Sequence, residues 1–412
     1  MSTPVAVTGI GLASALGAGL DATWEALLAG RTARTTAVPA AGLYPGPRPA
    51  AAAALEDDLS DVPAFARRRL RALSRESLLV SRAGLLAWRD AGLDAARTAG
   101  GGPAPEEVGV VLGTAGAGLT GYLQVLHDGL TLGVDLVSPY AGPQGSLNAA
   151  VSDLAIAADA QGPVVTVTAG RCSGAEALTA AADLLRTGQA EVVLAAVVDV
   201  LDPLTLDAGA GRDADAPGPF AAGRTGALPG EAVVVLVLED AGRARARGAR
   251  VHAEVAAVRT GLGDPDDTDG RAAVRAVDAV LAEAGLGPGD IGLLSSSAAG
   301  CELVDRAEAH ALHTVFGADT PVFAAGGALG DCAGATTLLQ LALTARALDT
   351  DLTPPTPGAA DRDPALPRLA VTAAPERRPG TTAALVLTTD RRPAAAAVLL
   401  RRPDTRAAAA GN

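Results

Sequence analysis

Unbroken apolar runs along the chain alternate with stretches of helical apolar spacing. Runs at 191–199 and 231–240 carry no polar alternation in their interiors, which predicts strands buried on both faces. Shorter runs at 5–9, 108–113, 164–168, 250–258, 291–297, 321–326, 368–374 and 381–390 also predict strands. Apolar residues at helical spacing predict helices over 21–30, 76–91 (followed by a glycine stop), 173–186, 270–286, 305–317 and 334–348. Strands in alternation with helices imply an α/β layered fold. The grammar repeats, so residues 1–245 and 246–390 are read as two similar halves, a duplication visible in pattern more than in sequence. The Pro- and Ala-rich stretch 35–63 reads as a surface excursion. Residues 391–412 read as a low-complexity, frayed tail.

The chain has 412 residues, 49% of them hydrophobic, enough for one large domain or two intimate halves. Aromatics are only 2%, so Ala, Val and Leu must build the core. There is no lysine, and arginine carries all the positive side-chain charge. A net charge of -13 argues against nucleic acid or an anionic membrane as the main partner. It also disfavours this chain as the main dock for an acidic carrier protein. The N-terminus has no basic region, and no apolar run reaches membrane-spanning length, so a cytoplasmic protein is expected. Three widely spaced cysteines make neither a disulfide framework nor a zinc pattern. No metal and no cofactor are expected.

The chemistry concentrates at "TAGRCSGAEAL", residues 168–178, a tight turn between a strand and a helix start. A side chain there stands near the positive end of the helix dipole. Cys172 at such a turn would be a nucleophile with a lowered pKa. It is also readable as a small buried filler, the commoner role of a cysteine, and both readings stay open. Arg171, its neighbour, cannot be a nucleophile.

Five segments in order carry a family resemblance: "VAVTGIGLASALGAGLDATWEALLAGRT", "SPYAGPQGSLNAAVSDLAIAADAQGPVVTVTAG", "PFAAGRTGALPGEAVVVLVLED", "DRAEAHALHTVFG" and "GDCAGATTLLQLALTARALDTDLTPPT". Over nearly its whole length the chain resembles the β-ketoacyl synthases of the thiolase-like superfamily. The resemblance implies two pseudo-duplicated α/β halves in an α-β-α-β-α arrangement. It also implies decarboxylative elongation of a carrier-bound acyl chain by a Cys-His-His triad. Aligned on these motifs, the nucleophile's position is Arg171. The histidine positions are Ser297 and Asp331, and the lysine position is Gly326. The glycine-rich gate loop falls on Arg377, Arg378 and Gly380. A guanidinium cannot be acylated, and neither serine nor aspartate supplies an imidazole N–H.

Coordinated loss on an intact scaffold resembles the chain length factor, or ketosynthase β, of type II polyketide synthases. In that family the cysteine is commonly replaced by glutamine, from which Arg171 departs. The resemblance implies a heterodimer with a catalytic ketosynthase α, with the acyl carrier protein docking mainly on that partner. The growing chain then occupies a tunnel ending at the interface. The tunnel segment corresponds to residues 113–130. There Leu119, Tyr122, Leu123 and Leu126 share one helix face, as chain-length gatekeepers or as ordinary packing. Arg171 and Asp331 are expected to form a buried charge-assisted pair. Two other readings stand beside this one. One is an active acyltransferase using Cys172, for which none of His127, His252, His310 or His313 sits at a triad position. The other is a stand-alone scaffold of the same fold.

Overall fold

The computed structural model describes residues 4–40, 46–51, 73–98, 100–139, 141–202, 205–206, 215–264 and 266–403. The surface excursion expected at 35–63 lies partly outside them. Its described part is a hairpin of Arg34–Ala40 with Gly46–Ala51.

The strands of the first half are β1 (Val5–Ser14), β2 (Val108–Gly113), β3 (Val164–Val167), β4 (Val192–Asp199) and β5 (Ala232–Asp240). Those of the second are β6 (Ala253–Leu262), β7 (Leu293–Ser296), β8 (Pro321–Phe323), β9 (Ala383–Thr389) and β10 (Ala394–Arg401). Their spatial order is β3-β2-β4-β5-β1 in the first half and β8-β7-β9-β10-β6 in the second. By position in each half, both read third, second, fourth, fifth, first. The pairing senses match too. The second strand is parallel to the third and fourth, and the fourth to fifth and fifth to first pairs are antiparallel. The two half-sheets join where Val5–Val7 of β1 pair with Ala253–Val255 of β6.

The helices that matter here are α1 (Leu20–Leu28), α2 (Arg75–Asp90), α3 (Leu119–Thr131), α4 (Ala149–Ala157), α5 (Ser173–Arg186), α6 (Arg271–Ala284), α7 (Glu302–Phe316) and α8 (Thr336–Thr350). The alternation along each buried strand assigns them to layers. In β5, Val233, Val235 and Val237 pack against α2 and α4, while Val234, Leu236 and Leu238 share a cluster with α5 and α8. In β10, Ala395, Ala397 and Leu399 face α6 and α7, while Ala396, Val398 and Leu400 join that same cluster. Helices α5 and α8 therefore lie between the half-sheets, and the order is α-β-α-β-α. Nearly every residue of α8 is buried, as its central place demands.

Two glycines make one of these packings possible. A Cβ on Gly9 would sit 2.1 Å from the Ala87 carbonyl of α2, and one on Gly11 would sit 1.8 Å from that of Ala83. The helix backbone lies directly on β1, where only glycine leaves room.

Strand β10 corrects the frayed tail expected from residue 391. Ala394–Arg401 is an interior strand, hydrogen-bonded to both β9 and β6. Its alanines look like low complexity because both faces are buried under close helices, where small side chains fit.

Candidate functional site

Strand β3 ends at the turn 168–172, and α5 starts from it with Cys172 as N-cap. Gly170 at the turn has φ +56. A Cβ there would meet the Asp390 carboxylate at 2.3 Å, so glycine lets Asp390 reach the Arg171 amide, 2.8 Å away. The turn thus aims the Arg171 side chain inward, where it is only 6% exposed.

Every arm of that guanidinium is used. Nε donates to the Thr389 carbonyl at 2.7 Å, and Nη2 to the Ser297 carbonyl at 2.9 Å. Nη1 is paired with Asp331 Oδ1. Burial alone would lower the arginine's pKa, but the charges of Asp331, Glu308 and Asp390 outweigh it and hold the pKa above its usual value. Asp331 is fixed in turn by the Ala333 amide at 3.0 Å, and its outer oxygen lies 3.7 Å from Arg391. The three positions singled out as a former triad, Arg171, Ser297 and Asp331, therefore converge in space. The expected buried ion pair is present.

Behind Ser297 stands Glu308, a fully buried carboxylate that the sequence reading did not single out. It accepts from the hydroxyls of Ser296 and Ser297, the Ser297 amide at 2.9 Å, and the Thr389 amide and hydroxyl at 3.0 Å each. Burial raises its pKa against the pull of these donors and of Arg171. Asp305, one turn earlier on α7, accepts from the amides of Phe220 at 2.9 Å and Ala299 at 3.2 Å, and burial pushes its carboxyl up to about 7. Both acids lie on the apolar stripe of α7 beside Val304, Ala309 and Leu312. A charge placed on an otherwise buried helix face was the available signal.

In front of Arg171 opens a cavity of about 310 Å³, lined among others by Ala115, Leu119, Asp199, Asp331, Asp390 and Arg391. None of the four histidines lines it. Cys172 is not part of the lining either. It is buried in the central cluster, and burial pushes its thiol up to about 12, the reverse of the activation expected for a nucleophile at that turn. Cys332 is likewise pushed up by burial. All three cysteines are free. Among the described residues no group of three or more His, Cys, Asp or Glu side chains is placed to hold a metal, and no helix is long and apolar enough to cross a membrane.

The gate-loop trio is not brought to this cavity. Arg377 belongs to a two-residue strand paired with Leu352–Thr353, and the Arg378 amide donates to the Asp351 carbonyl at 2.8 Å. Gly380 follows on the same loop. The turn that does reach the cavity joins β9 to β10 and carries Asp390 and Arg391. With residues from 391 read as a tail, β9 becomes the last strand and the gate motif falls one connection too early; β10 restores the β9–β10 turn to that place.

Of the four tunnel residues, Leu119 lines the cavity, Leu123 is half-buried, and Tyr122 and Leu126 are 52% and 43% exposed. No residue of α3 is buried. Leu130, Leu132, Val134, Leu136 and Leu147 in the segments that follow are exposed as well, and so is Val164 on β3. Among the described residues, that strand pairs with β2 alone and ends the sheet.

Comparison with known proteins places this geometry. Residues 2–244 match the N-terminal domain of beta-ketoacyl synthases, and residues 252–360 match their C-terminal domain. The chain is 32% identical to the tetracenomycin polyketide synthase ketoacyl synthase alpha subunit of Streptomyces glaucescens, over 87% of this chain and 88% of that one. It is 33% identical to a putative polyketide beta-ketoacyl synthase 1 of Streptomyces virginiae, over 87% and 89%. Among solved structures, the ishigamide ketosynthase/chain length factor superposes with a TM-score of 0.87 at 22% identity, covering 98% of this chain and all of that one. A beta-ketoacyl synthase from Burkholderia phymatum superposes with a TM-score of 0.84, also at 22% identity, covering 97% and 100%. The shared fold, the family matches over both halves and the relatives above 30% identity establish that the chain belongs to the β-ketoacyl synthase family, alongside the ketosynthases of polyketide synthases.

Proposed function

We propose that the chain is the non-catalytic chain length factor subunit of a type II polyketide synthase. In this reading it pairs with a catalytic ketosynthase α and shapes the tunnel in which a carrier-bound polyketide is elongated. The observation that carries the reading is Arg171. A buried guanidinium stands where the family's nucleophile would stand, held by Asp331 and the carbonyls of Ser297 and Thr389. The side chain has no electron pair to offer an acyl group, and no imidazole stands by to stabilise an enolate. Cys172 does not rescue the chemistry, because its thiol is buried, stays protonated at neutral pH and faces no base.

Two features support a partner. Exposed large apolar residues concentrate on α3 and the segment after it, which suits a surface that a partner covers. The free edge of β3, "VVTV", has no charge, proline or bulge to discourage strand addition. In the heterodimer the ketosynthase α covers both, and the acyl carrier protein docks mainly on that partner, since this chain carries a net charge of -13. Leu119, Tyr122, Leu123 and Leu126 would then lie between the cavity and the interface, where a side chain limits product length.

The test is reconstitution of elongation with a candidate ketosynthase α. Changing the partner's nucleophilic cysteine to alanine should abolish product. Cys172→Ala should leave it intact. Loss of product from a folded, assembled Cys172→Ala complex would overturn the reading and make this chain an acyltransferase.

A further inference from the structure

Asp199 ends β4 and lines the same cavity as Arg171, yet the chemistry above makes no use of it. Its carboxylate accepts from Thr114 Oγ1 at 3.0 Å, from the Ala115 amide at 3.1 Å and from the Gly116 amide at 2.9 Å. Thr114 Oγ1 in turn accepts from the amides of Gly116 at 3.1 Å and Ala117 at 2.8 Å. These bonds define the turn that launches α3 at Leu119. From the second half of the chain, Gly334 presses so close that a Cβ there would lie 2.7 Å from the Asp199 carboxylate. One side chain thus gathers the start of α3, a loop of the other half and the cavity wall. Beyond Leu119 the same helix exposes Tyr122 and Leu126.

We propose that Asp199 is a positioning residue that ties the first turn of α3, the helix offered to the partner, to the wall of the Arg171 cavity. The tie rests on the chain length factor reading for what α3 meets, but not for its own existence. All of its bonded neighbours donate, so only the ionised carboxylate satisfies them, and a protonated or amide side chain turns a donor toward donors. The charged and titratable groups around it are Asp202 on its own loop, Arg171 at the head of α5, Asp331 and Cys332 on the loop before α8, and Asp390 and Arg391 on the β9–β10 turn. Burial pushes the Asp199 carboxyl up to about 7.

The experiment compares the full chain with Asp199→Asn and Thr114→Val. It measures affinity for the ketosynthase α at about pH 8, together with amide hydrogen exchange of the chain alone. Asp199→Asn should bind about tenfold more weakly than wild type. Exchange should rise over 115–131 and stay unchanged over 168–174. Wild-type affinity and exchange in both variants would overturn the proposal. So would exchange rising equally over β4 and β5, which is the mark of a merely structural role. Should Asp199→Asn fail to fold, Thr114→Val carries the same two outcomes, since it removes one arm of the tie and keeps the carboxylate. If wild type binds no ketosynthase, the chain length factor reading fails, while exchange over 115–131 still decides whether the tie exists.

Discussion

Arg171 and Asp331 each give up water on folding and recover most of the loss through each other and through backbone carbonyls and amides, with Arg391, Glu308 and Asp390 adding charge nearby. Removing one partner strands the other charge. Asp331→Ala should therefore cost about 3–5 kcal/mol, read as a shift in denaturant midpoint without a change in slope. An uncharged replacement of both, such as Arg171→Met with Asp331→Leu, should cost much less than the sum of the singles, because no charge is left alone. Equal stability of Asp331→Ala and wild type would show that the pair is solvated and contributes nothing to the fold. This pair was legible in the sequence because both residues fall at motif positions that fix where they point. Glu308 and Asp199 were not, because a lone acid within an apolar run has no partner in sequence. Their donors come from residues 11 to 85 positions away.

At the scale of elements, the strands and helices of both halves could be read because each buried strand is unbroken and each helix keeps one apolar face. The exceptions are α4, whose "AAVSDLAIA" shows no single apolar face, and β10, hidden by its alanines, an error that displaced the gate loop with it. What makes those alanines a strand is distant pairing with β9 and β6, which local composition does not encode. The reverse holds for α2 on β1. Gly9 and Gly11 look like ordinary strand breakers, yet they carry the closest helix–strand contact of the first half. Gly11→Ala should push α2 off the sheet and cost about 1–3 kcal/mol. Far-UV circular dichroism should be retained and the melting temperature should fall. An unchanged melting temperature would mean that the helix shifts freely on the sheet. The same scale holds the test of the tunnel. Tyr122→Ala in the assembled heterodimer should shift product toward longer chains, measured by mass spectrometry. Unchanged product would assign Tyr122 to the interface alone.

Over the whole molecule, three buried carboxyls share one sign. Asp199 and Asp305 are pushed up to about 7, and Glu308 is raised as well, each by burial first. A carboxyl whose folded pKa exceeds its unfolded one binds more protons in the folded state. Its stabilising contribution is complete below the unfolded value and is lost as pH rises through the folded one. For Asp199 and Asp305 that loss falls between about pH 5 and pH 8 and amounts to about 2 kcal/mol each. Self-repulsion acts in the same direction, because a chain of net charge -13 gains negative charge over that interval. The opposing acids, Asp90, Asp267 and Asp363, have lowered pKa values. They lose their contribution only under more acid conditions. Stability should therefore be greatest in mildly acid solution and decline toward pH 8. Asp305→Asn should flatten the decline, since the amide carries no charge, while its one oxygen keeps only one of the Phe220 and Ala299 bonds, which reach different carboxylate oxygens. Thermal melts across that range decide the matter. A melting temperature that rises from about pH 5 to pH 8 would mean that the donors around these carboxyls, and not their burial, set their ionisation.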